Sequence, residues 1–183
     1  MANQAESSSE ILSYVREVSL REDDILRDLR ELTGELPMGH AMQVMAEEGQ
    51  FLAFLVGLIG ARNVLEIGTF TGYSTLCMAR AIPSDGRLVT CDITSKWPDI
   101  AAEYWTKADV ADRIDVRIGD AGETLSGLLA EDGAGAFDFV FIDADKTNYR
   151  RYADGITRAA QALKPSASFR PLPPHGPRRG PER

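Results

Sequence analysis

The sequence is poor in the residues that staple chains, ligate metals or cross membranes. It holds only two cysteines and two histidines. Cys77 and Cys91 are too few for a disulfide framework and read as buried thiols of a reducing compartment. His40 and His175 have no neighbours at metal-ligand spacing, so neither is assigned a role. No run approaches about 18 consecutive apolar residues, which predicts no transmembrane helix. The polar lead Met1–Glu10 lacks the apolar core of a signal peptide, so the expectation is a cytoplasmic protein. Basic charge is also short, with 20 Lys and Arg against 28 Asp and Glu and a net charge of −8. That balance excludes the basic surface that nucleic-acid phosphates or an anionic membrane would require. The G-x-S-x-G elbow of hydrolases is missing. So are the G-x-G-x-x-G and G-x-x-x-x-G-K-[ST] loops of dinucleotide and nucleotide enzymes.

What remains is an ordinary apolar content of 44% in 183 residues, long enough for one domain with a true core. The chain is organised around Val64-Leu65-Glu66-Ile67-Gly68-Thr69-Phe70-Thr71-Gly72-Tyr73-Ser74. Val64, Leu65 and Ile67 make a buried strand, Gly68 and Gly72 a turn, and Ser74 or Thr75 can cap the following helix. Such a loop presents backbone N–H groups at the positive end of a helix and suits an anionic ligand group, although an ordinary strand-to-helix turn has the same pattern. Glu66 lies inside the apolar strand, where a carboxylate needs a partner: a cationic ligand or nearby backbone. Asp92 follows a second strand, Arg87–Cys91, about 20 residues past the glycine loop, where an acidic residue commonly holds ribose hydroxyls. A ligand with an amino-acid end and a nucleoside end suits both carboxylates, and S-adenosylmethionine has that shape.

Strands are predicted at about 63–67, 87–91, 114–118 and 138–142, and helices at about 74–81, 98–108, 121–130 and 147–162. This alternation implies an α/β domain with a doubly wound, mostly parallel sheet and a site at the strands' C-terminal ends. Glu66, Asp92, Asp120 and Asp143 all fall at or beside such ends. Residues 1–40 read as an N-terminal helical segment. One helix begins at Ser9 or Glu10 with an apolar stripe of Ile11, Leu12, Tyr14, Val15 and Val18. A second, Arg21–Leu32, turns Ile25, Leu26 and Leu29 inward, as a packing or dimer helix. A helix at about 47–59 is expected to bury Phe51, Leu52, Phe54, Leu55, Leu58 and Ile59, and Gly60 ends it. Asp120 suits a plain helix N-cap as well as a ligand contact. Trp105 reads as core. Asp143 and Asp145 beside Lys146 fit either a catalytic group or a surface salt-bridge cluster.

The ordered pieces Glu48-Gly49-Gln50-Phe51-Leu52, Glu66–Ser74, Cys91-Asp92, Gly119-Asp120-Ala121 and Phe137–Lys146 carry a resemblance. Residues 10–165 resemble the cation-dependent small-molecule O-methyltransferases, the group that includes caffeoyl-CoA and catechol O-methyltransferases. The resemblance implies a Rossmann-like class I methyltransferase domain over 41–165. It implies S-adenosylmethionine contacts from Met42, Val44, Glu66, Gly68, Thr69, Ser74, Asp92, Ile93, Asp120, Ala121, Asp143 and Asp145, although core or loop roles suit Met42 and Val44 equally. It further implies a divalent cation, Mg²⁺ or Ca²⁺, with Asp143 as one ligand, and Lys146 as base or phenolate partner. Tyr149 and Tyr152 line the site or pack behind it. The implied acceptor is a small phenol or catechol, and the implied assembly a homodimer.

The sequence departs from that family after Pro165. The family continues into a fifth strand ending in an Asp-Asn pair that completes the metal site. Here residues 166–183 are rich in Pro and Arg, a composition suited to a disordered tail, so the C-terminal strands are expected to be missing and the fourth strand to lack a neighbour. Two origins are open: out-of-frame translation of a longer gene, or a natural tail that binds a partner. Finding no fifth-strand sequence in the other reading frames would eliminate the first. A cofactor-binding or dimerising relative without turnover is the rival to an enzyme.

Overall fold

The computed structural model describes residues 9–133, 135–144, 148, 150, 152 and 155. Asp145, Lys146, Thr147, Tyr149 and residues 156–183, and with them most of the predicted last helix and the whole tail, lie outside the described residues. The elements run α1 (Ser9–Ser19), α2 (Asp24–Glu35), α3 (Gly39–Met42), α4 (Ala46–Leu58), β1 (Asn63–Ile67), α5 (Tyr73–Ala81), β2 (Arg87–Asp92), α6 (Pro98–Lys107), β3 (Ile114–Ile118), α7 (Ala121–Asp132) and β4 (Phe139–Ile142). The second helix starts three residues later than the periodicity predicts. Asp23 stops it there, its carboxylate accepting the Leu26 N–H at 3.0 Å as an N-cap.

The four described strands are all parallel, in the order β3-β2-β1-β4. The chain therefore winds outward from β1 to β3, then returns to the other side of β1 for β4. Side chains alternate across the sheet. Val64 and Leu88 face one core with α2, α4, α5 and α6, whereas Leu65, Ile67, Val89 and Cys91 face the other with α7 and Tyr152. Both cysteines are free and buried, and burial pushes each thiol up to about 12. Glu66 and Thr90 are register partners on neighbouring strands. Both belong to the α5 side, because each is one residue beyond a residue of the opposite face.

One expectation about an apolar face is corrected. Helix α4 buries Ala46, Gly49, Leu52 and Val56, while Phe51, Phe54, Leu58 and Ile59 are exposed. Gly49 decides the face: a Cβ there would stand 2.7 Å from the Tyr73 ring and 2.9 Å from the Cys77 sulfur. The smallest side of α4 is thus the side that approaches α5. The stripe of α1 is also exposed, at Ile11, Leu12, Tyr14, Val15 and Val18. Trp105 is core as predicted, 4% exposed, and its indole N–H donates to the Gly72 carbonyl at 3.3 Å.

Candidate active site

Winding in both directions from β1 opens a crevice beyond the strands' C-terminal ends, where β1 and β4 send their loops apart. A cavity of about 650 Å³ fills it, within the roughly 300–1,000 Å³ usual for small-molecule sites. Its walls come from the α3–α4 connection (Met42, Gln43, Val44), the loop after β1 (Gly68 to Ser74), the loop after β2 (Asp92, Ile93, Thr94, Trp97), the β3–α7 turn (Gly119, Asp120, Ala121), and Asp143, Ala144, Asn148 and Tyr152.

The loop after β1 is tightly specified. Gly68 has φ +103° and Gly72 φ +73°, and Phe70 is left-handed at +48°, a conformation costly for a residue with a side chain. A Cβ on Gly68 would lie 2.2 Å from the Asp143 carbonyl oxygen, so only glycine lets these two loops meet. Asp92 holds the loop from the β2 side. Its Oδ2 accepts the N–H of Thr69 at 3.2 Å and of Phe70 at 2.9 Å, and its Oδ1 accepts that of Thr94 at 3.1 Å. The aspartate is thus the loop's anchor as well as a cavity wall.

Two predictions about this segment are corrected. Ser74 and Thr75 do not cap α5; its N-cap is Gly72, without a side-chain acceptor, which leaves the first turn's N–H groups for a ligand. Their hydroxyls go instead to Glu66. Ser74 donates to Oε1 at 2.5 Å, Thr90 donates to Oε2 at 2.7 Å, and Thr75 donates to Oε2 as well. Glu66 is fully buried and does not line the cavity. Its carboxylate is hydrogen-bonded to Ser74, which does line the cavity. Burial raises its pKa to about 7 against the three hydroxyl donors, with the Asp143 charge adding to the rise. Sequence alone cannot show this, because three hydroxyls from α5 and β2 replace the cationic or backbone partner.

The other predicted residues that line the cavity are Met42, Val44, Gly68, Thr69, Ser74, Asp92, Ile93, Asp120, Ala121 and Asp143. Several serve two purposes. Asp120 caps α7, accepting the Glu123 N–H at 3.0 Å, while it lines the cavity. Val44 packs on the core and lines the cavity. Tyr152 is buried beneath the site. Asp145, Lys146 and Tyr149 lie outside the described residues. Sequence reasoning missed Trp97, whose ring meets Phe70 edge-on at 5.2 Å; an aromatic residue directly before the Pro98 helix start was the available signal. It also missed Gln43, which lines the cavity and whose amide nitrogen is buried without a hydrogen-bond partner among the described residues.

These features fit S-adenosylmethionine. The uncapped α5 turn offers donors for a carboxylate, and Asp92 and Asp120 offer acceptors to hydroxyl and amino groups. They do not fit a cation equally well. Among the described residues there is no group of three His, Cys, Asp or Glu placed to hold a metal, whereas a hard divalent cation takes about six oxygen ligands.

A family model described as O-methyltransferase matches residues 16–161. The chain is 43% identical over 152 residues to catechol O-methyltransferase domain-containing protein 1 of Mus musculus, covering 83% of this chain and 56% of that protein. It is 43% identical over 147 residues to caffeoyl-CoA O-methyltransferase of Eucalyptus gunnii, covering 79% and 59%. Among solved structures, the O-methyltransferase from Bacillus cereus in complex with SAH superposes with a TM-score of 0.72 at 39% identity, covering 80% of this chain and 66% of that one. TomG from Streptomyces achromogenes, in complex with SAM, gives 0.73 at 34% identity, covering 82% and 66%. The chain therefore spans less than two thirds of the length of these curated relatives. With the matched segment running from α1 past β4, the chain belongs to the O-methyltransferase family.

Proposed function

We propose that this chain binds S-adenosylmethionine and belongs to an enzyme that methylates a phenolic or catechol hydroxyl of a small molecule. The observation that carries the reading is one cavity bounded by the uncapped, glycine-bearing start of α5 on one side and by Asp92 at the end of β2 on the other. In this reading Asp92 takes the ribose hydroxyls. Ile93, Asp120 and Ala121 border the base. Gly68, Thr69, Ser74, Met42, Gln43 and Val44 surround the amino-acid half, with Asp143 and Asp145 at the reacting end. When bound, the cofactor supplies an electrophilic methyl group on a sulfonium. The chain's own task is to hold the acceptor oxygen in line and to remove its proton, and Lys146 is the proposed base. A lysine at neutral pH does this only with a depressed pKa.

The cation implied by the resemblance, Mg²⁺ or Ca²⁺ on Asp143, finds too few ligands among the described residues, and no step is routed through it. The proposed partner is a small acceptor and, through the exposed apolar residues of α1 and α4, a second copy of the chain. The excess of 28 acidic over 20 basic residues supports neither a nucleic-acid nor a membrane partner. No helix of the described residues is long and apolar enough to cross a membrane, and a cytoplasmic location is part of the proposal. A second reading, cofactor binding without turnover, draws on the Pro- and Arg-rich residues 166–183 standing where the resemblance places the remaining metal ligands.

Calorimetric titration with S-adenosylmethionine tests the core of this proposal. Saturable binding weakened by Asp92→Ala is the expected result; a folded sample that binds nothing would end the reading. A catechol methylation assay with and without EDTA then separates turnover from binding alone and reports whether a metal is used.

A further inference from the structure

None of the residues that line the cavity comes from α2, yet α2 and the segment before it are hydrogen-bonded to the loop that does. The Thr33 and Thr71 hydroxyls are 2.8 Å apart, both buried, and the Thr33 hydroxyl also lies 2.7 Å from the Leu29 carbonyl. A hydroxyl has one proton. With that of Thr33 spent on Leu29 within its own helix, Thr71 is the donor between the two hydroxyls. A second tie comes from Tyr73, whose phenol donates to Glu22 Oε1 at 2.8 Å. Arg30 of α2 fixes that carboxylate by two parallel bonds of 2.8 Å.

These ties fall on a particular half of the loop. Asp92 secures Thr69 and Phe70. Beyond the left-handed Phe70, the next residues are held by Thr33 at Thr71, by the Trp105 indole at the Gly72 carbonyl and by Glu22 at Tyr73. Strained backbone persists only where its surroundings over-determine it. Thr71 to Ser74 are also where the loop becomes the first turn of α5, with the N–H groups that suit a carboxylate.

We infer that Thr33 is a positioning residue of the cofactor site, and that α2, with Glu22 and Arg30 behind Tyr73, sets the half of the loop that receives the amino-acid end of the ligand. The inference rests on the S-adenosylmethionine reading above. Thr33→Val keeps the shape of the side chain but leaves the buried Thr71 hydroxyl without its acceptor. The Asp92 anchor on Thr69 and Phe70 is untouched, so the nucleoside end keeps its geometry.

The test is a pair of titrations of the full chain, with S-adenosylhomocysteine and with 5′-methylthioadenosine, which lacks the amino-acid end. Thr33→Val is expected to weaken the first about tenfold, on the scale of one orphaned buried hydroxyl, and to leave the second within about twofold. Thr33→Ser restores the first, and in a Thr71→Val background the Thr33→Val change costs little, because the orphan no longer exists. Equal weakening of both ligands would mean general loosening of the fold and would overturn the inference. So would an unchanged affinity for S-adenosylhomocysteine, or failure of serine to rescue. If Thr33→Val does not yield soluble protein, Tyr73→Phe carries the same two titrations with the same outcomes. Wild-type protein that binds neither ligand would instead remove the cofactor reading, and this inference with it.

Discussion

Replacing Glu66 by glutamine probes the most unusual group in the fold. The carboxyl is fully buried between β1, β2 and α5, and burial outweighs three hydroxyl donors to bring its pKa from 4.5 to about 7. At about 1.4 kcal/mol per pKa unit, that rise corresponds to roughly 3 kcal/mol between the two protonation states. The sign follows from proton counting. Between pH 4.5 and 7 the folded chain holds this proton and the unfolded chain has lost it, so stability falls as pH rises. The contribution is fully present below pH 4.5 and is lost as pH climbs through about 7. Glutamine keeps the shape, retains a carbonyl for the Thr75 and Thr90 hydroxyls, and cannot titrate. Urea unfolding of both proteins from pH 4 to 8.5 is the assay, because their difference cancels most other titrating groups. Wild type should lose about 3 kcal/mol relative to Glu66→Gln across that range. Parallel curves would refute the reasoning and mean that the carboxylate is solvated or paired with a cation.

Three further outcomes are expected. Asp92→Ala leaves the Thr69 and Phe70 N–H groups without their acceptor and should weaken S-adenosylmethionine by at least about tenfold in calorimetry. Gly68→Ala places a Cβ 2.2 Å from the Asp143 carbonyl at φ +103° and should cost at least about 2 kcal/mol, read as a lower Tm. In α4, Leu52→Ala should cost about 2–5 kcal/mol, whereas Phe54→Ala, at a residue 60% exposed, should cost the isolated monomer no more than about 0.5 kcal/mol. Sedimentation of the Phe54 variant also reports on the proposed self-association: a wild-type dimer that it dissociates supports the α4 face, and a monomeric wild type removes it.

Much of this molecule is legible in its sequence because local chemistry dictates it. The alternation of apolar runs with helical periodicity determined four parallel strands and the helices between them. Gly68 and Gly72 marked the turn, and Asp92 and Asp120 at strand ends marked the crevice, since short-range backbone geometry and capping need only neighbouring residues. Tertiary structure decided what depends on distant partners. Which face of α4 is buried was settled by Gly49 meeting Tyr73 and Cys77, not by the larger apolar residues that dominate its composition. The direction of the Glu66 carboxylate was settled by hydroxyls 8, 9 and 24 residues away. Hydroxyl groups satisfied the buried carboxyl, where the sequence offered a cationic ligand or nearby backbone as its partner. Trp97 and Gln43 joined the cavity, and Thr33 reached its loop, only because packing brought separate segments together; no periodicity along the chain encodes such a meeting.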